Sequence, residues 1–583
     1  MNSVKYKESL YEVRDVENLR ELIDGSVERF SQRPAFMVKD KTKGKFVSIS
    51  YKKMQEDIRS LGTSLINLGL RGRKIAVIGE NSYYWAISYF AIANGVGVVV
   101  PIDRELKEKE VANLLKRAEI SAVIYSKKMK KVMDEVLEDR ELRKTLTYPI
   151  QMDLSDDEDG RISLRRLLSH GMDLLDNGDR KYLDVEVDSD ALAVLLFTSG
   201  TTGLAKGVML SHRNIVSNTV NMSKYVKIID GGVGLSVLPM HHTYEMTCHV
   251  ITGLYQGMSI AICEGLKYIQ KNLVEAQVNV MLAVPLIFEM MHKKIFSKAK
   301  ESGKEKTLRR MMNISRKIKL YNKGNITRRL FSNVHNVTGG KISQFIAGGA
   351  AINPQVIEDY EAMGFPIFQG YGMTECSPII AVNKDRYSKA AAAGLPLPGT
   401  EVKIYNPDEK GIGEIICRGP SVMLGYYRDD DATREALRNG WLHTGDYGYF
   451  DQDGFLYVSG RKKSVIITKN GKNIFPEEVE FYLTESEYIE EALVHGIDGL
   501  RNDDVIIKAE IFPNYPLFEN ENPEVSEEYI EEKIGEIIEK INDTVPKYKR
   551  IKRYYIRKTE FEKTTTKKIK RYLDTNLNEG ERL

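Results

Sequence analysis

The sequence is poor in cysteine and tryptophan, with 4 Cys and 2 Trp in 583 residues. Cys248, Cys263, Cys376 and Cys417 show no C-x-x-C spacing. That argues against a disulfide framework or a cysteine zinc site and reads as reduced, cytosolic thiols. Neither sign of charge dominates: 85 Lys and Arg stand against 82 Asp and Glu, a net charge of +3. Such a balance argues against a nucleic-acid protein. No apolar run is long enough to span a membrane. The most apolar stretch, Trp85 to Ile102, contains Ser88 and Asn94 and is interrupted by Gly95, Gly97 and Pro101. It reads as a buried helix-to-strand passage. The opening residues MNSVKYKESLYEV lack the apolar centre of a secretion signal, there is no lipidation motif, and a cytoplasmic protein is expected. Internal repeats and low-complexity segments are absent too.

A hydrophobic content of 42 % supports a sizeable core and argues against global disorder. The length predicts three or four structural units. Val16 to Phe30 has apolar residues at Leu19, Leu22, Ile23, Val27 and Phe30, the spacing of an amphipathic helix. Lys74–Gly79 predicts a buried strand, Tyr84–Ala93 a helix, and Gly97–Pro101 and Ala122–Tyr125 further strands. This alternation points to an α/β protein with doubly wound sheets. Leu137–Asp179 is charged and weakly patterned and reads as a surface excursion. Gly399–Val458 reads as short strands and turns. In the last part, Asn470-Gly471 predicts a hairpin, and Pro476 opens a helix with Glu477 and Glu478 at its positive end. A second helix over about 526–545 carries Ile530, Ile534, Ile537, Ile538 and Ile541 on one stripe.

The chemistry concentrates between Leu192 and Asn214. An apolar strand runs into Thr198, Ser199, Gly200, Thr201, Thr202 and Gly203, followed by Lys206. Glycines let backbone N–H groups turn toward an anion, hydroxyls add donors and Mg²⁺ ligands, and the lysine supplies a mobile charge. The spacing is not that of a Walker A loop. A phosphate-binding loop of another type and a polar turn after a buried strand both fit. LPMHHTYE follows, where adjacent His241 and His242 cannot face the same way on a strand and only Glu245 offers itself as a further metal ligand. FIAGGAAI ends a strand in Gly348 and Gly349, which let a flat ring approach the backbone. In FQGYGMTE an aromatic and a carboxylate can serve adenine and Mg²⁺. In HTGD, Asp446 can accept from two ribose hydroxyls or cap a turn. The basic run 298–329 fits a solvated helical hairpin, a membrane-surface patch or a nucleic-acid patch. The basic, tyrosine-interleaved tail PKYKRIKRYYIRK fits a strand with one wet face or a nucleic-acid surface.

TSGTTGLAKGV, YGMTE, HTGD, SGRKK and FEKTTTKKIKR occur in an order and spread that resemble the adenylate-forming superfamily: acyl-CoA synthetases, aryl-CoA ligases, luciferases and adenylation domains. GRKKSVIITKNGKNIFPEEVE is most similar to its bacterial long-chain fatty acid group. The resemblance implies a large N-terminal domain (1–460) of doubly wound sheets plus a small β-barrel-like part. It also implies a small mobile α+β C-terminal domain (461–583) carrying the catalytic lysine. The implied activity is AMP-forming acyl-CoA synthesis with ATP, Mg²⁺ and coenzyme A. By the resemblance Lys568, Glu375 and His242 are the catalytic residues. Thr198 to Gly203, Lys206, Gly349, Ala350, Gln369, Gly370, Tyr371, Gly372, Thr374, Asp446 and Arg461 hold the nucleotide. Thr198 and Glu375 hold the metal. Lys463 is the hinge, and Gly471 lies on the CoA-side loop. Three positions depart from the family pattern: Ser464 for a carboxylate, Glu562 for proline and Lys567 for glycine, the last of which removes backbone freedom beside Lys568. Ligation to an acyl carrier protein, or of another carboxylic acid, is the nearest alternative. A non-enzymatic ATP-binding protein and an RNA-binding protein are the distant ones. Peripheral membrane contact stays open, and a monomer and a homodimer are equally consistent with the sequence.

Overall fold

The computed structural model describes residues 9–40, 42–198, 205–319, 324–385, 387–467, 473–498, 505–564, 568–571 and 573. The chain forms two compact units. One comprises Met1–Val402, Cys417–Leu442 and Gln452–Phe455, the other Lys403–Ile416, His443–Asp451 and Leu456–Leu583.

The first unit is α/β and holds two large sheets. In the eight-stranded sheet, Lys74–Ile78 lies between Val98–Ile102 and Ala122–Tyr125, parallel to both. These strands are apolar along their length because they are covered on both faces, and Ile75 to Ile78 are fully buried. Leu192–Thr198 continues the sheet beyond Val98–Ile102, and Lys206–Ser211 returns antiparallel to it. The nine-stranded sheet has a parallel centre in the order Gln344–Ala347, Val280–Ala283, Val233–Ser236, Ser259–Ile262. From Val233–Ser236 the chain crosses to Ser259–Ile262 on one side; from Val280–Ala283 it crosses to Gln344–Ala347 on the other. Adjacent strands whose connections part in this way leave a crevice at their carboxyl ends, where open α/β sheets bind ligands.

The 137–179 stretch is not the surface excursion its charge suggests. Tyr148–Gln151 pairs in parallel with Ala122–Tyr125, and Ile162–Ser163 extends the same sheet. Helix Leu164–Asp176 packs on helix Tyr51–Asn67, and Ser64 donates to the Leu167 carbonyl at 2.6 Å. The buried set, Leu142, Leu146, Ile150, Met152, Leu164 and Leu167, is spread thinly among exposed charges. A four-residue strand and a two-residue strand leave too short a periodic signal to read.

The second unit is α+β. Ile489–Asp498 pairs antiparallel with Val505–Pro513, which pairs in parallel with Ile551–Ile556. Helices Pro476–Thr484 and Glu527–Thr544 contribute to its core, the latter through Ile530, Ile534 and Ile538. The expected hairpin is present as Ile466–Ile467 against Asn473–Ile474; its turn, with Asn470 and Gly471, lies outside the described residues. No helix among the described residues is long and apolar enough to cross a membrane.

Candidate active site

The hairpin Leu192–Thr198/Lys206–Ser211 sets Thr198 directly opposite Lys206. Ser199, Gly200, Thr201, Thr202 and Gly203 lie outside the described residues. Tyr426, on a short strand paired with the outer edge of this hairpin, connects the predicted groups. Its ring centroid is 4.8 Å from the Lys206 ammonium, a cation–π distance. Its hydroxyl donates to Glu375 Oε1 at 2.8 Å. Burial first, then the Glu375 charge, push the Tyr426 phenol well above its usual range, so it stays protonated and acts as the donor. Sequence reading missed Tyr426, because a tyrosine 51 residues from its carboxylate partner makes no local pattern.

Helix His212–Ser223, which follows the hairpin, fixes this cluster from behind. Ser211 caps it and Asn214 completes the capping box. The Asn214 amide also donates to the Pro420 carbonyl at 2.8 Å. One turn later the buried Asn218 amide donates to the carbonyls of Cys376 and Ile379, and its oxygen accepts from the Ile379 N–H. Asn218 thereby clamps the short 3₁₀ turn that carries Thr374 and Glu375.

The two histidines sit on a turn after their strand and not on the strand itself, so the opposite facing expected of them does not occur. Their ring centroids are 4.1 Å apart. Both line a cavity of about 40 Å³ together with Thr198, Thr374, Thr243 and Asp103. His241 Nε2 is 3.6 Å from Asp103 Oδ2. Burial first, then His242 and Arg104, hold the His241 pKa well below the ordinary value, so that ring is neutral. Asn81 holds the preceding segment, donating to Ser236 Oγ and the Leu238 carbonyl and accepting from the Met240 N–H. Glu245 turns away from both histidines to the buried His249, at 2.8 Å. Among the described residues no three His, Cys, Asp or Glu side chains form a metal cluster.

The glycine-rich positions are more mixed. The flat ring against Gly348 is the chain's own Tyr244, which a Cβ there would meet at 2.7 Å. Gly349 has φ +86° and Ala350 is exposed beside it. Gln369 is buried, its amide donating to the Ala392 carbonyl and its oxygen accepting from the Ile352 N–H. Gly370, Tyr371 and Gly372 end the strand Ile367–Gly372, with Tyr371 half-buried. A Cβ at Gly372 would meet the Pro378 carbonyl oxygen at 2.0 Å.

In the second unit Asp446 and Arg461 face each other across antiparallel strands. Arg461 Nε lies 2.9 Å from Asp446 Oδ1, and the carboxylate side chain is 6 % exposed. Lys568 belongs to a tight loop. Thr564 N–H donates to its carbonyl at 2.8 Å, its own N–H donates to Thr564 Oγ1 at 3.2 Å, and the Glu562 carbonyl accepts from the Lys570 N–H. Lys568 is solvent-exposed as a residue. The protein around its ammonium nevertheless lowers its pKa; Arg461 acts in the same sense and Asp446 opposes. The charges of both Asp446 and Arg461 thus act on Lys568. Lys463 and Ser464 lie in the short 3₁₀ turn directly after Arg461. Lys567 falls outside the described residues.

The fold is that of the adenylate-forming enzymes. An anthranilate CoA ligase in complex with anthranoyl-AMP matches it with a TM-score of 0.74 at 18 % identity, over 95 % of this chain and 96 % of that one. The sequence matches the AMP-binding enzyme family over residues 23–427 and the AMP-binding enzyme C-terminal domain over 463–573. The chain belongs to that family and is an adenylate-forming ligase. Among curated relatives, a long-chain-fatty-acid–CoA ligase of Salmonella typhimurium is 26 % identical over 82 % of this chain and 83 % of that protein. A chloroplastic long-chain-fatty-acid–[acyl-carrier-protein] ligase of Arabidopsis thaliana is 26 % identical over 86 % of this chain and 77 % of that protein.

Proposed function

We propose that this protein activates a long-chain fatty acid with MgATP and transfers the acyl group to coenzyme A, in the cytoplasm. In the first half-reaction a carboxylate oxygen of the acid attacks the α-phosphorus of ATP. The bond from that phosphorus to the pyrophosphate oxygen breaks, leaving acyl-AMP. In the second, the CoA sulfur attacks the acyl carbonyl carbon, the bond to AMP breaks, and the thiol proton passes to solvent.

The observation that carries this reading is the Asp446–Arg461 pair, whose opposed charges both act on Lys568. Asp446 accepts from the ribose diol, Arg461 fixes that carboxylate, and Lys568 neutralises charge that builds on the α-phosphate oxygens. This is stabilisation by position and not covalent catalysis. Lys206 and the hydroxyl loop at Thr198 grip the outer phosphates. Thr198 and Glu375 offer the hard oxygen donors Mg²⁺ prefers, and the Tyr426 bond uses only Oε1 of the carboxylate. Bound there, the ion would neutralise triphosphate charge. The wall at His242 separates acid from phosphates, and the acid lies in the crevice at the carboxyl ends of Val233–Ser236 and Val280–Ala283. For the second half-reaction the 461–583 domain turns about Lys463, Lys568 withdraws, and the Gly471 loop serves the CoA side.

The chain length and the CoA acceptor rest on the Salmonella relative's name; the Arabidopsis relative favours a second reading, with acyl carrier protein as acceptor. Pyrophosphate release with MgATP across acids from acetate to oleate, with and without CoA, tests both. Release peaking on long acids, with thioester formed only with CoA, is expected. Release with no CoA thioester overturns the acceptor, and release peaking on acetate or another short acid overturns the substrate.

A further inference from the structure

The segment KKIKR at 567–571 carries four cations in five residues, and charge alone does not tell them apart. The structure separates Lys568 from Arg571. Lys568 is exposed, whereas Arg571, three residues on, is half-buried and turns back into its own domain. Its guanidinium pairs through Nη2 with Glu480 of helix Pro476–Thr484 and donates through Nη1 to the Val494 carbonyl at 3.4 Å. Glu480 closes the ring, because its other oxygen accepts from the Val494 N–H at 2.7 Å. Val494 lies on Ile489–Asp498, an outer strand of its sheet, so the pair seals that strand's open edge. The chain on the other side of Lys568 is pinned to the same strand. Lys563 pairs with Glu491, and the Phe561 N–H donates to the same carboxylate at 3.2 Å. A β-bridge between Lys563 and Ile569 draws the two sides together. The two anchor points, Glu491 and Val494, are about 10 Å apart along the strand.

Glu562 stands where the family pattern has proline, so the backbone approaching Lys568 lacks that residue's fixed φ. Side-chain anchors supply a restraint in its place. Helix Pro476–Thr484 also backs the strand that ends in Arg461. Glu477 lies 3.7 Å from Arg571, and a Cβ on Gly460, the residue before Arg461, would meet Glu477 Oε2 at 2.6 Å. One helix therefore touches both the chain leaving Lys568 and the strand Leu456–Arg461. Arginine suits this junction, since its planar donors reach a carboxylate and a carbonyl at once, which a lysine ammonium does less well. Desolvation offsets much of the attraction in a part-buried ion pair, so such a pair is a weak source of stability. What anchors on both sides of a residue do supply is one fixed geometry.

We propose that Arg571, acting through Glu480, is a positioning residue that sets Lys568 for the adenylation half-reaction. This role rests on the assignment of Lys568 made above. ATP–pyrophosphate exchange reads the first half-reaction, and thioester formation from supplied acyl-AMP and CoA reads the second. In Arg571→Met the exchange kcat should fall roughly 100-fold, the cost of misplacing a reacting group by about 1 Å, with KM for ATP little changed. The second half-reaction should stay within about twofold of wild type. Glu480→Gln keeps an acceptor for the Val494 N–H and removes only the charge, so it should slow exchange less. The double variant should be no slower than Arg571→Met alone, because the two residues act as one unit. Arg571→Lys restores a charge opposite Glu480 and should recover part of the rate. Lys549→Met breaks a different ion pair of the same helix, with Glu478 at 2.6 Å, and should leave both half-reactions as in wild type. Hydrogen exchange at the Thr564 and Lys570 amides, which bond across the two sides of Lys568, should quicken in Arg571→Met. If Arg571→Met does not fold, Glu480→Gln and Arg571→Lys carry the same comparison. Equal loss of both half-reactions in a folded variant, or an exchange rate within about twofold of wild type in Arg571→Met, overturns the proposal. So does unchanged amide exchange in that variant. Failure of the adenylation reading itself looks different: wild type then exchanges no pyrophosphate with any acid.

Discussion

Tyr426→Phe isolates one bond at the centre of the proposed nucleotide site, between Tyr426 and Glu375. The ring stays, so its packing and the 4.8 Å cation–π contact with Lys206 are kept. Only the hydroxyl goes, with its 2.8 Å bond to Glu375 Oε1. Hydrogen bonds to a charged partner contribute roughly 1.5–3 kcal/mol. On the proposed reading the carboxylate then loses the group that orients it toward the metal and must be held by water. Converted at about 1.4 kcal/mol per tenfold, the adenylation half-reaction should slow roughly 10- to 100-fold in kcat/KM for ATP. The Mg²⁺ concentration for half-maximal rate should rise, while a thermal melt shifts little. ATP–pyrophosphate exchange under a Mg²⁺ titration reads both effects. Tyr426→Leu removes the ring as well, and should cost more and weaken nucleotide binding through Lys206. If Tyr426→Phe keeps both its rate and its Mg²⁺ half-saturation within about twofold of wild type, Glu375 is not a metal carboxylate oriented by this tyrosine.

Lys568→Ala should abolish adenylation yet still convert supplied acyl-AMP and CoA to thioester; equal loss of both half-reactions in a folded variant removes the assignment. Because the Lys568 pKa is lowered, its charge is lost at a lower pH than that of an ordinary lysine. The alkaline limb of the adenylation profile should therefore fall below the usual lysine range, and Lys568→Arg should move that limb upward even if its rate is poor. Burial lowers the pKa of His212, His335 and His495 to about 4 each. The unfolded chain binds these protons first, so stability is complete above the ordinary histidine value and falls as pH drops toward 4, by up to roughly 3 kcal/mol per site. Thermal melts between pH 7 and 4.5 should show this loss, and His212→Asn should flatten it if the variant folds. Asn218→Ala leaves three backbone groups around the Glu375 turn without their partner. It should destabilise by roughly 2–4 kcal/mol in urea unfolding and slow adenylation together; an unchanged rate would mean the clamp does not position Glu375.

The sequence by itself determined the elements whose cause is local. Buried parallel strands read as apolar runs, the helix over about 526–545 reads as an isoleucine stripe, and Asn470-Gly471 lies between two short strands that do pair. The hydroxyl loop, the histidines, YGMTE, HTGD and the terminal lysine, which the proposed reaction uses, were legible at residue level because phosphate, ribose and carboxylate recognition demand those residue types. Tertiary structure alone decided which groups meet. Tyr426 joins Lys206 to Glu375, and Asn218 reaches across 161 residues to Ile379. Asp446 finds Arg461 by strand register. The 137–179 stretch joins a sheet that its charge conceals. Two histidines that a strand would set apart lie together because the chain turns before them. The physical reason is the same throughout. Periodicity and turn chemistry act over a few residues and are written along the chain. A hydrogen bond or ion pair between distant residues depends only on where packing brings the backbone.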